Sequence, residues 1–127
     1  MNRIAILAAA LTVSPAAADE IRRAAIPSVM LGTWAETPEQ CATKDKSNVS
    51  IESVKYGDGN GTCAVRWVVT TPSPTGTNYA VHAFCTSAKD QSKTQTVNII
   101  IRPIGDDRAS MGRSFNQLKT YRHCPAG

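Results

Sequence analysis

The chain has no Cys-x-x-Cys pair, no His-Glu-x-x-His spacing and no Gly-x-Ser-x-Gly elbow, and each absence closes a route to chemistry. Zinc sites draw their thiolates as close pairs, and a thioredoxin-like redox site needs the two-residue turn between its cysteines. An α/β-type serine hydrolase carries its nucleophile on the glycine elbow. Histidines number two, His82 and His123, and His82 sits in an alternating segment beside Phe84, where a structural or simply exposed side chain is expected. Aromatic residues make up 6% of the chain and charged residues 19%, too few for an aromatic-rich binder or a disordered charged tail. The net charge of +4 comes without a basic cluster, so nothing marks a nucleic-acid footprint. Asp58-Gly59-Asn60-Gly61 is too short for a calcium loop. Asp58, Asp106 and Asp107 fall in loops and the last two are adjacent, which leaves no carboxylate pair placed for glycoside cleavage. The expectation is a protein that is not an enzyme and uses neither a metal nor a cofactor.

What is present begins with an export pattern. Met1-Asn2-Arg3 supplies a positive charge, Ile4 to Val13 is apolar apart from Thr12, and Ser14-Pro15-Ala16-Ala17-Ala18 is a small-residue end. This predicts a cleaved signal peptide over 1–18, cut before Asp19. A membrane span needs about 20 consecutive apolar residues, and Pro15 with Asp19-Glu20 ends the run too early. Of 127 residues, 109 remain, enough for one domain, with a net charge of +3 once Arg3 is removed. The Ala-rich signal points to a periplasmic destination, where the sequons at Asn48 and Asn60 have no meaning. An exposed lead-in over 19–28 and a single β domain over 29–127 are expected.

Beyond the signal the pattern is that of strands. Val29–Ala35 reads as a first strand, and Thr37-Pro38-Glu39-Gln40 as a capped helical turn ending near Cys41 to Thr43. Val49–Tyr56 changes parity midway, which a bulge near Glu52-Ser53 would reconcile. Gly57 to Gly61 is a hairpin loop. Thr62–Thr71 places Cys63, Val65, Trp67 and Val69 on one face, and Thr77–Thr86 places Tyr79, Val81, Ala83 and Cys85 on one face. Pro72-Ser73-Pro74-Thr75-Gly76 forces the turn between them. Thr94–Ile104 alternates, Asp106 to Arg108 opens a loop, and Ser114–Cys124 is a weaker last strand. The reading is all-β, a small antiparallel sandwich or barrel of about six to eight strands.

Cys41, Cys63, Cys85 and Cys124 are spaced by 22, 22 and 39 positions. In a short exported chain four such cysteines predict two disulfides, each worth about 2–4 kcal/mol. Directly opposed strand residues have Cβ atoms about 4.5–5.5 Å apart, against about 3.8 Å in a disulfide. This disfavours Cys63 with Cys85 and favours Cys41 with Cys63 and Cys85 with Cys124, although three pairings are possible. The bridges also consume every thiol that could act as a nucleophile.

Two short segments carry resemblances. Leu31-Gly32-Thr33-Trp34 resembles the Gly-x-Trp opening of the lipocalins and of small bacterial barrel-type protease inhibitors, in which the Trp packs at the barrel base. Thr75-Gly76-Thr77-Asn78-Tyr79 resembles the Ser-Gly-x-x-Tyr loop of the periplasmic and membrane-bound C-type lysozyme inhibitors, with Thr75 in place of serine. In that family the loop enters the muramidase cleft. The resemblance implies Thr75 as the probing hydroxyl, Gly76 as the turn residue and Tyr79 as the anchor, with Pro72 and Pro74 stiffening the loop. The family's second block is not evident here and its cysteine count differs.

The implied function is a periplasmic inhibitor or regulator of peptidoglycan hydrolases, a monomer or weak dimer whose partner is a lysozyme or other muramidase. Animal lysozymes are strongly basic, so a chain at +3 suits an acidic muramidase better. The alternatives are a lipocalin-like small-ligand carrier and a structural or peptidoglycan-binding envelope protein.

Overall fold

The computed structural model describes residues 21–74 and 76–126, so the expected signal peptide and Thr75 lie outside the described residues. The elements in chain order are β1 (Ile21–Arg23), a 3₁₀ turn (Ser28–Met30), β2 (Gly32–Ala35), α1 (Pro38–Thr43), β3 (Val49–Glu52), β4 (Lys55–Asp58), β5 (Gly61–Ser73), β6 (Gly76–Ser87), β7 (Thr94–Pro103), β8 (Arg108–Gly112), a second 3₁₀ turn (Phe115–Gln117) and β9 (Lys119–His123). Each strand from β2 to β9 pairs antiparallel with the next, and β9 pairs back onto β2, closing an up-and-down barrel of eight strands. Closure leaves no open sheet edge around the ring. The lead-in adds β1, which pairs with Val68–Thr70 along the stretch of β5 that β4, held at Gly61–Ala64, does not reach.

An eight-stranded ring has an interior just wide enough for side chains to fill it. Trp34, Val49, Ile51, Tyr56, Val68, Val81, Ile99, Ile101, Met111 and the Cys63–Cys85 bridge are all buried there. The expected inward set of β6 is observed, with Tyr79, Val81, Ala83 and Cys85 in the core. The capped turn is also as expected: Thr37 Oγ1 accepts from Gln40 N–H, Gln40 Oε1 accepts from Thr37 N–H, and Pro38 opens α1.

Four expectations are corrected. Val49–Tyr56 is two strands and not one bulged strand: Ile51 pairs with Tyr56 and Glu52 with Lys55 across a turn at Ser53-Val54. The parity change is a chain reversal that brings Val49, Ile51 and Tyr56 to the same interior. The bulge lies instead in β5, where Val65 faces Ala83 and Trp67 faces His82, so Arg66 is the extra residue. One inserted residue exchanges the faces beyond it. Val68 therefore points into the core, whereas Trp67 stacks outside on His82 with ring centroids 4.6 Å apart and Arg22 on the ring at 4.8 Å.

Third, Val29–Ala35 is a 3₁₀ turn followed by a shorter strand, and the C-terminal part carries β8 as well as β9. Fourth, the disulfides are Cys41–Cys124 and Cys63–Cys85. Cys63 and Cys85 are direct partners across β5 and β6, with Cα atoms 3.9 Å apart. Opposed residues in an antiparallel pair alternate between wide and narrow sites, and only the narrow one brings side chains this close. The averaged spacing used to disfavour the pair hides that alternation. Two bridges mark a chain that folds in an oxidising compartment.

Candidate functional site

Alternating strand direction gives the barrel two ends. The base holds the first 3₁₀ turn, the β3–β4 turn, the tip of the β5–β6 hairpin and the β7–β8 loop. The mouth holds the β4–β5 turn, the β6–β7 loop and the segment between β8 and β9.

The β5–β6 ladder continues beyond the last β6–β7 pair. Pairing of β6 with β7 stops at Tyr79 and Ile101, while β7 itself continues to Pro103, which lines a recess together with Thr77. Beyond that pair β5 and β6 are joined by the rungs Thr71–Asn78, Pro72–Thr77 and Ser73–Gly76. Gly76 has φ +136°, a conformation that L side chains rarely adopt, and a Cβ there would meet open space. Ser73 Oγ donates to Gly76 O at 2.8 Å, which tightens the turn. Of the three residues expected to form the inhibitory loop, Thr75 is outside the described residues, Gly76 is exposed at the tip, and Tyr79 is buried in the barrel core. Tyr79 therefore roots the hairpin from inside the barrel and is not part of its outer surface.

The base is closed by a tryptophan whose surroundings explain the Gly-x-Trp spacing. Trp34 Nε1 donates to Met30 O at 3.0 Å, tying β2 to the 3₁₀ turn before it. His123 stacks on Trp34 with centroids 4.2 Å apart and planes 6° from parallel. Its Nε2 lies 2.8 Å from Leu31 O. Gly32 has φ +125°, and a Cβ on it would come within 2.6 Å of that same Nε2. Glycine is needed two residues before Trp34 because the imidazole occupies the space a side chain would take. The partner is 92 positions away from Leu31, so no local pattern could have connected His123 to the motif.

The mouth is spanned by charge. Arg113 Nε donates to Asp58 Oδ2 at 3.0 Å and Nη2 donates to Asp58 Oδ1 at 2.8 Å. The side chains are 17% and 11% exposed, sheltered enough to restrict solvent screening. Asp58 ends β4 and Arg113 follows β8, which lie on opposite sides of the eight-strand ring, so the pair is a strap across the opening. Asn60 N–H also donates to Asp58 Oδ1, at 2.8 Å. Beneath the strap, burial and then the Asp58 charge push the Tyr56 phenol well above its usual range. Burial, then Glu36 and Asp58, raises Tyr121 in the same way. Both phenols are thereby held in the neutral form.

On the β2–β9 side of the strap a recess of about 720 Å³ is lined by Tyr56, Tyr121, Glu36, Lys119 and the strap itself. Glu36 and Lys119 approach to 3.5 Å on the open rim. The sequence reading treated Asp58 as one loop acid among several and passed over Arg113, whose partner is 55 positions away. Among the described residues no group of three His, Cys, Asp or Glu side chains is gathered as for a metal ion. Comparison with protein-family models, with curated proteins and with solved structures found no match.

Proposed function

We propose that this protein is a non-catalytic inhibitor of peptidoglycan hydrolases, exported to the periplasm, that inserts the β5–β6 hairpin tip into the cleft of its target. The observation that carries the reading is that β5 and β6 stay paired for three rungs, Thr71–Asn78 to Ser73–Gly76, beyond the last β6–β7 pair, on a barrel whose interior is full. Pro72, Pro74 and the Ser73–Gly76 hydrogen bond restrict the chain on either side of Thr75, which lowers the conformational entropy that the hairpin loses on binding. The choice of target rests on the likeness of Thr75-Gly76-Thr77-Asn78-Tyr79 to the loop of the C-type lysozyme inhibitors, with Thr75 as the residue that enters the cleft. A carrier reading is less well supported: it needs an enclosed apolar cavity of at least about 300 Å³, and the barrel core is packed with side chains.

The test is clearance of cell-wall suspensions by an acidic muramidase in the presence of the folded, disulfide-bonded protein. Wild type at micromolar concentration should slow clearance, and Thr75→Ala should lose at least about tenfold in potency with an unchanged melting temperature. Lys119→Ala, at the mouth, should inhibit as wild type does. Tyr79→Ala is a poor probe, because removing a core side chain also costs stability. Absence of inhibition by folded wild type sinks the reading.

A further inference from the structure

The strap that closes the mouth divides it into two recesses of different charge. The one beside β2 and β9 mixes signs, with Glu36 and Asp58 against Arg113 and Lys119. The other, on the β6–β7 side, is about 520 Å³, within the range of small-ligand sites. Lys89, Lys93 and Arg113 bound it together with Asn60, Thr94 and Gln117, and no acidic side chain lines it.

Two carboxylates belong to the surrounding segments, and neither lines the recess. Asp58 is held by Arg113 and by Asn60 N–H. Asp90, on the same loop as the lysines, accepts from Ser92 Oγ at 2.6 Å and from Ser92 N–H at 3.1 Å. Those hydrogen bonds hold the Asp90 carboxyl below its ordinary range, so it stays ionised and turned into its own loop.

The walls are also ordered in advance. Ala88 N–H donates to Asn60 O at 2.9 Å, joining the β6–β7 loop to the β4–β5 turn. Ser87 N–H donates to Lys93 O, and Lys93 N–H to Asp90 O. Lys89 N–H donates to Ser87 Oγ. Arg113 uses Nε and Nη2 on Asp58, which fixes the guanidinium plane, and among the described residues Nη1 has no partner. Two lysines and an Asp58-paired guanidinium with a donor to spare, set around a preformed recess, make an oxyanion site.

We infer that this recess binds a small oxyanion ligand, a carboxylate or phosphate compound with two negative charges. The charges meet Arg113 and the Lys89–Lys93 pair, at the opposite end of the barrel from the hairpin tip. The site is independent of hydrolase inhibition and stands whether or not that reading holds.

The test is an amide-resolved NMR titration of the folded, disulfide-bonded protein at low ionic strength, with inorganic phosphate in one arm and succinate in the other. Saturable shifts are expected at residues 59–60, 87–94 and 113, with dissociation constants in the millimolar range or tighter. A response to phosphate alone assigns a phosphoryl ligand, and one to succinate alone a dicarboxylate. Lys89 and Lys93 are exposed, so the double variant Lys89→Ala/Lys93→Ala should keep its fold and bind at least about fivefold more weakly. Lys119→Ala, across the strap, should bind as wild type. The inference is overturned if neither anion gives saturable shifts up to about 20 mM, if the double lysine variant binds like wild type, or if the shifts are spread evenly over every surface lysine.

Discussion

At the base, Trp34 and His123 lie face to face, and the polar atoms of both rings meet backbone carbonyls of the segment leading into β2. At the mouth, Asp58 and Arg113 form an ion pair over two tyrosines, and open recesses lie on either side. Each end also has its own covalent tie. Cys41–Cys124 fastens the chain end beyond β9 to α1, and Cys63–Cys85 joins β5 to β6 on the mouth side. The base is apolar and specific in shape, a firm root for the β5–β6 hairpin. The mouth keeps charge at the surface, where it is available to a ligand, and gains less stability from it. A barrel with a full interior can thus present two different surfaces without a cavity through its middle.

The comparison breaks first, and with the largest effect, at the disulfides. In the chain-entropy account a bridge stabilises according to the loop it closes. Those loops span 83 residues for Cys41–Cys124 and 22 for Cys63–Cys85. Paired Cys→Ala replacement should cost about 4.5 kcal/mol for the longer loop and about 3.5 kcal/mol for the shorter, read from urea denaturation. An equal or reversed order would show that core packing around Cys63 and Cys85 outweighs loop closure.

Next come the two central contacts. Trp34→Ala removes a fully buried ring and should cost about 3–5 kcal/mol. Asp58→Asn, which leaves Arg113 without its counter-charge, should cost about 1.5–3 kcal/mol. If Asp58→Asn proved as costly as Trp34→Ala, the mouth would be as much a part of the foundation as the base.

The smallest effect is one of pH and belongs to the mouth alone. The folded state raises the pKa of Tyr56 and Tyr121, chiefly by burial. Their neutral forms therefore support the fold fully below the unfolded phenol pKa of about 10, and that support is lost as pH rises beyond it. Denaturation midpoints should fall above about pH 10, and Tyr56→Phe should flatten the decline. An identical alkaline slope in wild type and Tyr56→Phe would remove Tyr56 from the account.

What was legible in the sequence was local. The Thr37 cap with Pro38, the glycine turn after β4, the proline-marked hairpin tip and the alternation of β6 each depend on residues within a few positions of one another. The same holds for the alternation of Val97, Ile99 and Ile101 along β7. Where local patterns misled, two arrangements produced the same signal. The parity change over Val49–Tyr56 fits a bulge or a two-residue hairpin equally well, and only the closing of the ring chose the hairpin. In β5 nothing in the alternation of Cys63, Val65, Trp67 and Val69 announced the extra residue at Arg66, which placed Trp67 outside.

By itself, then, the sequence determined that the chain is an all-β domain with two cross-links and a stiffened turn at residues 72–76, because turn chemistry and side-chain alternation act over neighbouring residues. The tertiary structure decided which cysteines meet, why Gly32 must be glycine, and that Asp58 and Arg113 bridge the mouth. These contacts join residues 22 to 92 positions apart, and strand register and barrel closure bring them together. Each turns on distances of a few ångströms between strands, and no pattern along a single strand contains that information.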